Sequence, residues 1–134
     1  MKYLLDTNTC IKYLKGNPGV IRRLSSLPPS DIAVSSVVKA ELMYGAMRSN
    51  NSTRTLRVQQ AFLVQFQSLP FDDQAGLIHG RIRALLAAEG TPIGAYDLQI
   101  AAIALANDLT LVTHNTREFR RVEGLQIEDW EADM

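Results

Sequence analysis

The sequence predicts an α/β domain: a central, mainly parallel β-sheet of four to five strands flanked by helices. Two observations carry this. Short apolar runs closed by capping or turn residues alternate with longer stretches at helical spacing. The 134 residues, 46% of them hydrophobic, suit one core and show no repeat, linker or low-complexity segment, so residues 1–134 read as one domain.

The first strand is Lys2-Tyr3-Leu4-Leu5, broken by Asp6-Thr7-Asn8-Thr9, whose side chains prefer caps and turns. It therefore delivers a carboxylate at its carboxyl end, where ligands bind in open α/β sheets. Thr9 to Lys15 makes a short helix that Gly16-Asn17-Pro18 ends, and Pro18 suits the first turn of a second helix carrying Val20, Ile21, Leu24 and Leu27. Pro28-Pro29 stops that helix, and Ile32-Ala33-Val34 is a second strand. Ser35 and Ser36 are caps for a helix from Val37 to Arg48, on which Glu41 sits at the edge of the buried face. A helix from Thr53 to Ser68 would pair with it as a hairpin, followed by a brief strand at Leu69-Pro70-Phe71. Asp72 caps a long helix through Ala88, with Leu77, Ile78, Ile82, Leu85 and Leu86 at helical spacing and Gly90 as its stop. A helix from Tyr96 to Asn107 is dense in small residues, implying close contact with the sheet. Leu109 to Thr113 is a strand, His114-Asn115-Thr116 caps a short turn ending near Phe119, and Leu125 to Ile127 is a last strand before Trp130.

The 14 basic and 14 acidic residues cancel. Their distribution does not: Glu123, Glu128, Asp129, Glu131 and Asp133 follow Val122, whereas every Lys and Arg precedes it, leaving residues 1–122 at +5. Ten of the cations are Arg, whose planar fork suits phosphate. The lone Cys10 permits no internal disulfide and suits a reducing cytoplasm. No stretch approaches the ~20 apolar residues of a membrane span, and the start lacks a signal-peptide core.

Asp6 after the first strand, Glu41 in the helix after the second, Asp97 in the helix before the strand at Leu109 and Asn115 after that strand are the candidate site. Carboxylates sharing one crevice raise one another's pKa unless a cation intervenes. A hard divalent ion, Mg²⁺ or Mn²⁺, is the natural remedy, because such ions take oxygen ligands and can complete their shell with water and phosphate. Each residue also has a plainer role: Asp6 or Asn8 as a helix cap, Glu41 as a solvated glutamate, Asp97 as a partner of the helix dipole, Asn115 as a turn former. His79 and His114 read as structural or surface residues, not a zinc pair. The Arg117-Arg120-Arg121 group reads as a solvated face, with phosphate contact as the alternative.

Four blocks in order resemble the PIN-domain ribonucleases: Leu5-Asp6-Thr7-Asn8, Val37 to Gly45, Tyr96 to Ala102 and Val112 to Phe119. Among these the chain is most similar to the VapC toxins of bacterial toxin–antitoxin pairs, especially those that cut initiator tRNA in the anticodon stem-loop. The resemblance runs nearly end to end. It implies a PIN-like fold, Mg²⁺- or Mn²⁺-dependent endonucleolytic cleavage of RNA, a homodimer, and inhibition by a VapB-type antitoxin that enters the groove. It also implies Asp6, Glu41 and Asp97 as the acidic triad, with Asp6 and Asp97 the main metal ligands and Thr7 and Thr113 in support. The chain departs from the family where many members carry aspartate: Asn115 brings no negative charge, and nearby Glu118 is the residue able to compensate.

A phosphoacceptor receiver domain would need an acidic pair after the first strand and a lysine after the last, whereas this chain has one acid there and its last lysine is Lys39. A catalytically silent PIN-fold interaction module is the other alternative, and retention of all three acids argues against it. Met43, Tyr44, Met47 and Phe62 suit either an antitoxin groove or the core.

Overall fold

The computed structural model describes residues 1–131. Strands β1 (Tyr3–Leu5), β2 (Ile32–Ser35), β3 (Gln67–Leu69), β4 (Thr110–Val112) and β5 (Ile127–Glu128) form one sheet, all neighbours parallel, in the order β3-β2-β1-β4-β5. The chain steps outward from β1 to β3, then returns to place β4 on the other side of β1. That reversal makes the gap beyond the carboxyl ends of β1 and β4 the switch point, where an open α/β sheet leaves a crevice.

The helices are α1 (Thr7–Leu14), α2 (Pro18–Ser25), α3 (Ser36–Met47), α4 (Ser52–Leu63), α5 (Asp73–Ala88), α6 (Ala95–Ala106) and α7 (Thr116–Phe119). Most begin on a residue whose side chain satisfies an orphan backbone amide. Ser35 Oγ accepts from Val38 N (3.2 Å), Asp72 Oδ1 from Ala75 N (2.9 Å), and Asn17 and Asn51 do the same for α2 and α4. At the far end of α5, Gly90 takes φ +74°, and Thr91 N reaches back to Leu86 O at 2.9 Å, so glycine closes the helix as expected.

Leu4, Leu5, Ile32, Ala33, Val34, Leu111 and Val112 are all buried, as is the run Ile100 to Ala104 of α6. The central strands are covered on both faces, so they read as continuous apolar runs. Cys10 is fully buried; burial, helped by the charge of Asp6, pushes its thiol far up and leaves it a core residue.

Three features differ from the sequence reading. First, α4 stops at Leu63 and the third strand is Gln67–Leu69, not residues 69–71. β3 is an edge strand paired only with β2 and mostly exposed, so it carries no apolar run to mark it, and Pro70, lacking an N–H, ends it. Second, Leu77 and Leu85 of α5 point outward, 75% and 48% exposed, while Ala75, Ile82 and Leu86 face the core. Third, the last strand is displaced to Ile127–Glu128.

The last strand is held by a compact cluster. Trp130 meets Tyr3 edge-on at 5.3 Å, Arg23 lies over both rings, and Glu128 Oε1 accepts from Arg23 Nη2 (2.8 Å) and Trp130 Nε1 (3.0 Å). The acidic tail thereby folds back on the basic body; Asp133 lies outside the described residues. Among the described residues, no helix is long and apolar enough to cross a membrane.

Candidate functional site

Asp6 plays both roles open to it. Its Oδ1 caps α1 by accepting from Thr9 N (2.8 Å), and its buried carboxyl stands at the β1–β4 switch point, also hydrogen-bonded to Thr113. Its backbone is pinned across the same gap, since Asp6 N donates to Val112 O (3.1 Å) and Thr9 Oγ1 to the same oxygen (3.1 Å). Burial raises the Asp6 pKa, opposed by the Thr113 and Thr9 hydrogen bonds and reinforced by the charge of Asp129.

Glu41 reaches the same rim from α3, where Thr7 Oγ1 donates to its Oε1 at 2.7 Å. This contact joins the residue after Asp6 to the helix after β2, so Glu41 is not a freely solvated glutamate. Asp97 lies in the first turn of α6, which begins at this rim with Gly94 at its N-cap. Its carboxyl is pushed up to about 7, chiefly by burial, then by the charge of Glu118 and their shared hydrogen bond, and further by the charges of Asp6 and Glu41. Asp97 therefore feels the charge of both other predicted acids.

Asn115 follows β4 at the same rim. It occupies the N-cap position of α7 without capping it, and instead donates from Nδ2 to Glu118 Oε2 at 2.8 Å. Glu118 also accepts from Gly94 N at Oε1 (3.0 Å). Burial works to raise Glu118, but the hydrogen bonds from Asn115, Gly94 and Asp97, with the charge of Arg121, outweigh it and hold its carboxyl below the usual range. The fourth acid of the rim is thus Glu118, with Asn115 as the residue that orients it. The signal in the sequence was their i, i+3 spacing at the start of a short helix. Thr113 Oγ1 completes the network by accepting from Asn115 N (3.0 Å).

The two histidines are apart, as expected. His79 packs against Phe71, whereas His114 Nδ1 pairs with Asp129 Oδ2 at 2.9 Å beside the rim. Arg117, Arg120 and Arg121 are exposed. A groove of about 740 Å³ runs from Thr7 and Glu41 between α3 and the start of α6, bounded by Ile11, Val37, Tyr44 and Tyr96. Met43, Tyr44 and Met47 are on the surface, whereas Phe62 is core, stacked on Tyr13 at 4.7 Å.

Four carboxylates line one crevice and give it excess negative charge, the kind of oxygen-rich surrounding that hard divalent cations favour. The fold and rim together define a parallel α/β protein with an acid-lined crevice at its switch point. The PIN domain family matches residues 3–125, and the chain belongs to that family. It is 45% identical over 130 residues to the tRNA(fMet)-specific endonuclease VapC of Salmonella typhimurium, covering 97% of this chain and 98% of the relative. It is 42% identical to the protein of the same name from Shigella flexneri, with the same coverage. Among solved structures it resembles DNA-bound VapBC from Salmonella typhimurium, with a TM-score of 0.92, 45% identity and coverage of 97% of this chain and 98% of that one. VapBC2 of Rickettsia felis bound to a promoter DNA fragment aligns with a TM-score of 0.91 and 34% identity, covering 97% and 99%.

Proposed function

We propose that this chain is the toxin of a VapBC-type toxin–antitoxin pair: a Mg²⁺- or Mn²⁺-dependent endoribonuclease that cuts initiator tRNA in its anticodon stem-loop, acts in the cytoplasm, forms a homodimer and is silenced by a VapB-type antitoxin. The observation that carries the reading is the placement of Asp97 in the first turn of α6, where burial, and then the charges of Glu118, Asp6 and Glu41 at the same rim, push its carboxyl up to about 7. The names of the Salmonella and Shigella relatives support the substrate, and the VapBC complexes support the partner.

Asp6 and Asp97 are the main ligands in this reading, with Glu41 and Glu118 completing the negative rim. Among the described residues, no three His, Cys, Asp or Glu side chains converge tightly enough to hold an ion unaided. Mg²⁺ would therefore take one or two of these carboxylates and fill the rest of its shell with water and substrate phosphate. When bound, the cation supplies charge neutralisation at the scissile phosphate and acidifies water. The chain's own residues orient the carboxylates: Thr7 fixes Glu41, Thr113 and Thr9 fix Asp6, and Asn115 and Gly94 fix Glu118. In this reading the nucleophile is water: the Thr7 and Thr9 hydroxyls donate to Glu41 and to Val112 O, and Cys10 is buried. Exposed arginines hold the RNA backbone, giving salt-sensitive binding.

The test is cleavage of purified initiator tRNA beside an elongator tRNA, in Mg²⁺ or Mn²⁺ and with EDTA. A single metal-dependent break in the initiator anticodon stem-loop supports the reading. Purified protein that leaves every RNA intact favours the silent interaction module.

A further inference from the structure

The groove that begins at Thr7 and Glu41 continues to two tyrosine rings that the core does not use. Tyr44 lies one turn along α3 from Glu41, and Tyr96 is adjacent to Asp97 in the first turn of α6. Both border the groove and are 64% and 59% exposed, whereas Trp130, Phe119 and Phe62 are buried. Two amphipathic rings on different helices, both beside the acids, form a surface suited to flat, partly polar ligands.

Charge indicates which ligand. The guanidinium of Arg48 sits 5.4 Å from the Tyr44 ring centroid, and its Nη1 donates to the Tyr44 hydroxyl at 3.2 Å. Residues 36–70, which include α3 and α4, carry four cations, Lys39, Arg48, Arg54 and Arg57, and one acid, Glu41, which belongs to the rim. Arg48, Arg54 and Arg57 are exposed. Aromatic faces interleaved with cations match unpaired RNA, whose bases stack on rings while its phosphates meet arginine. An apolar peptide would use Ile11 and Val37 of the same groove but would gain little from the cations.

We infer that Tyr44 and Tyr96 seat unpaired bases of the substrate beside the acids, with Arg48 meeting the adjoining phosphate backbone. This rests on the ribonuclease reading and extends it to the residues that present the loop.

The test uses the full chain and a synthetic RNA hairpin with 2-aminopurine in its unpaired loop, in Ca²⁺ for binding and Mg²⁺ for cleavage, with a fully paired duplex as control. Tyr44→Ala and Tyr96→Ala each weaken hairpin binding roughly 5- to 100-fold, the range for loss of one stacked base. They also relieve 2-aminopurine quenching and raise KM more than they lower kcat, with duplex binding unchanged. Tyr44→Phe and Tyr96→Phe keep the parent's behaviour, while the leucine variants follow alanine. Thermal melting identifies the folded variants.

Folded alanine variants that bind the hairpin as the parent does, or leucine variants that match phenylalanine, overturn the inference. Alanine variants that keep the RNA but lose the antitoxin overturn it too, assigning the groove to the protein partner. A parent chain that neither binds nor cuts RNA sinks the ribonuclease reading itself, a failure visible before any tyrosine is changed.

Discussion

Asp97 on α6 and Glu118 on α7 hydrogen-bond to each other, and the pair divides its charge unequally. Burial and the neighbouring carboxylates push Asp97 up to about 7, while Asn115, Gly94 and Arg121 hold Glu118 low. Below about pH 7 Asp97 therefore carries a proton for which a cation at the rim competes.

Metal loading should accordingly release protons. Isothermal titration of the protein with Mg²⁺ in buffers of different ionisation enthalpy is expected to show release approaching one proton at about pH 6 and little at about pH 8, with affinity rising across that interval. Affinity that does not change with pH would remove Asp97 from the ligand set.

The same proton shapes stability without metal. A carboxyl raised from 3.8 to about 7 binds more protons folded than unfolded, so its contribution falls as pH rises through that window and is least favourable above 7. Asp97→Asn removes the penalty. In EDTA the variant should melt above the parent at alkaline pH, with the gap narrowing on acidification toward 4, and it should have no nuclease activity. A melting temperature equal to the parent's at every pH would contradict the electrostatic account.

Asn115→Asp tests the fourth acid. A new charge beside Glu118 replaces a hydrogen bond that holds it, so the cleavage pH profile should move to higher pH, whereas Glu118→Gln should lower activity roughly 10- to 100-fold, the range for groups that support metal ligands. Full activity in Glu118→Gln would leave the triad to act alone.

Closure of the sheet rests on Trp130. Trp130→Ala removes a buried ring that also shares Arg23 with Tyr3, and should cost about 3–5 kcal/mol in urea unfolding. A loss below about 1 kcal/mol would mean that β5 is held by its backbone pairing with β4 alone.

Much was legible without coordinates. Apolar runs cut short by Asp6, Ser35 and the Thr113-His114-Asn115 turn locate the three central strand ends, because buried parallel strands must be apolar and their junctions must be capped. β3 was misplaced because an exposed edge strand bears no such pattern, and Leu77 and Leu85 misled because helical spacing records a stripe without saying how much of it is covered. The sequence by itself determined that Asp6, Glu41 and Asp97 occur in the order an acid-lined rim needs. Only the tertiary structure decided that Asp6 caps α1 from the switch point, that Asn115 serves Glu118, and that Asp97 is pushed up to about 7. Those are consequences of distance and dielectric, which depend on how β1, β4, α6 and α7 are brought together and not on the identity of any one residue.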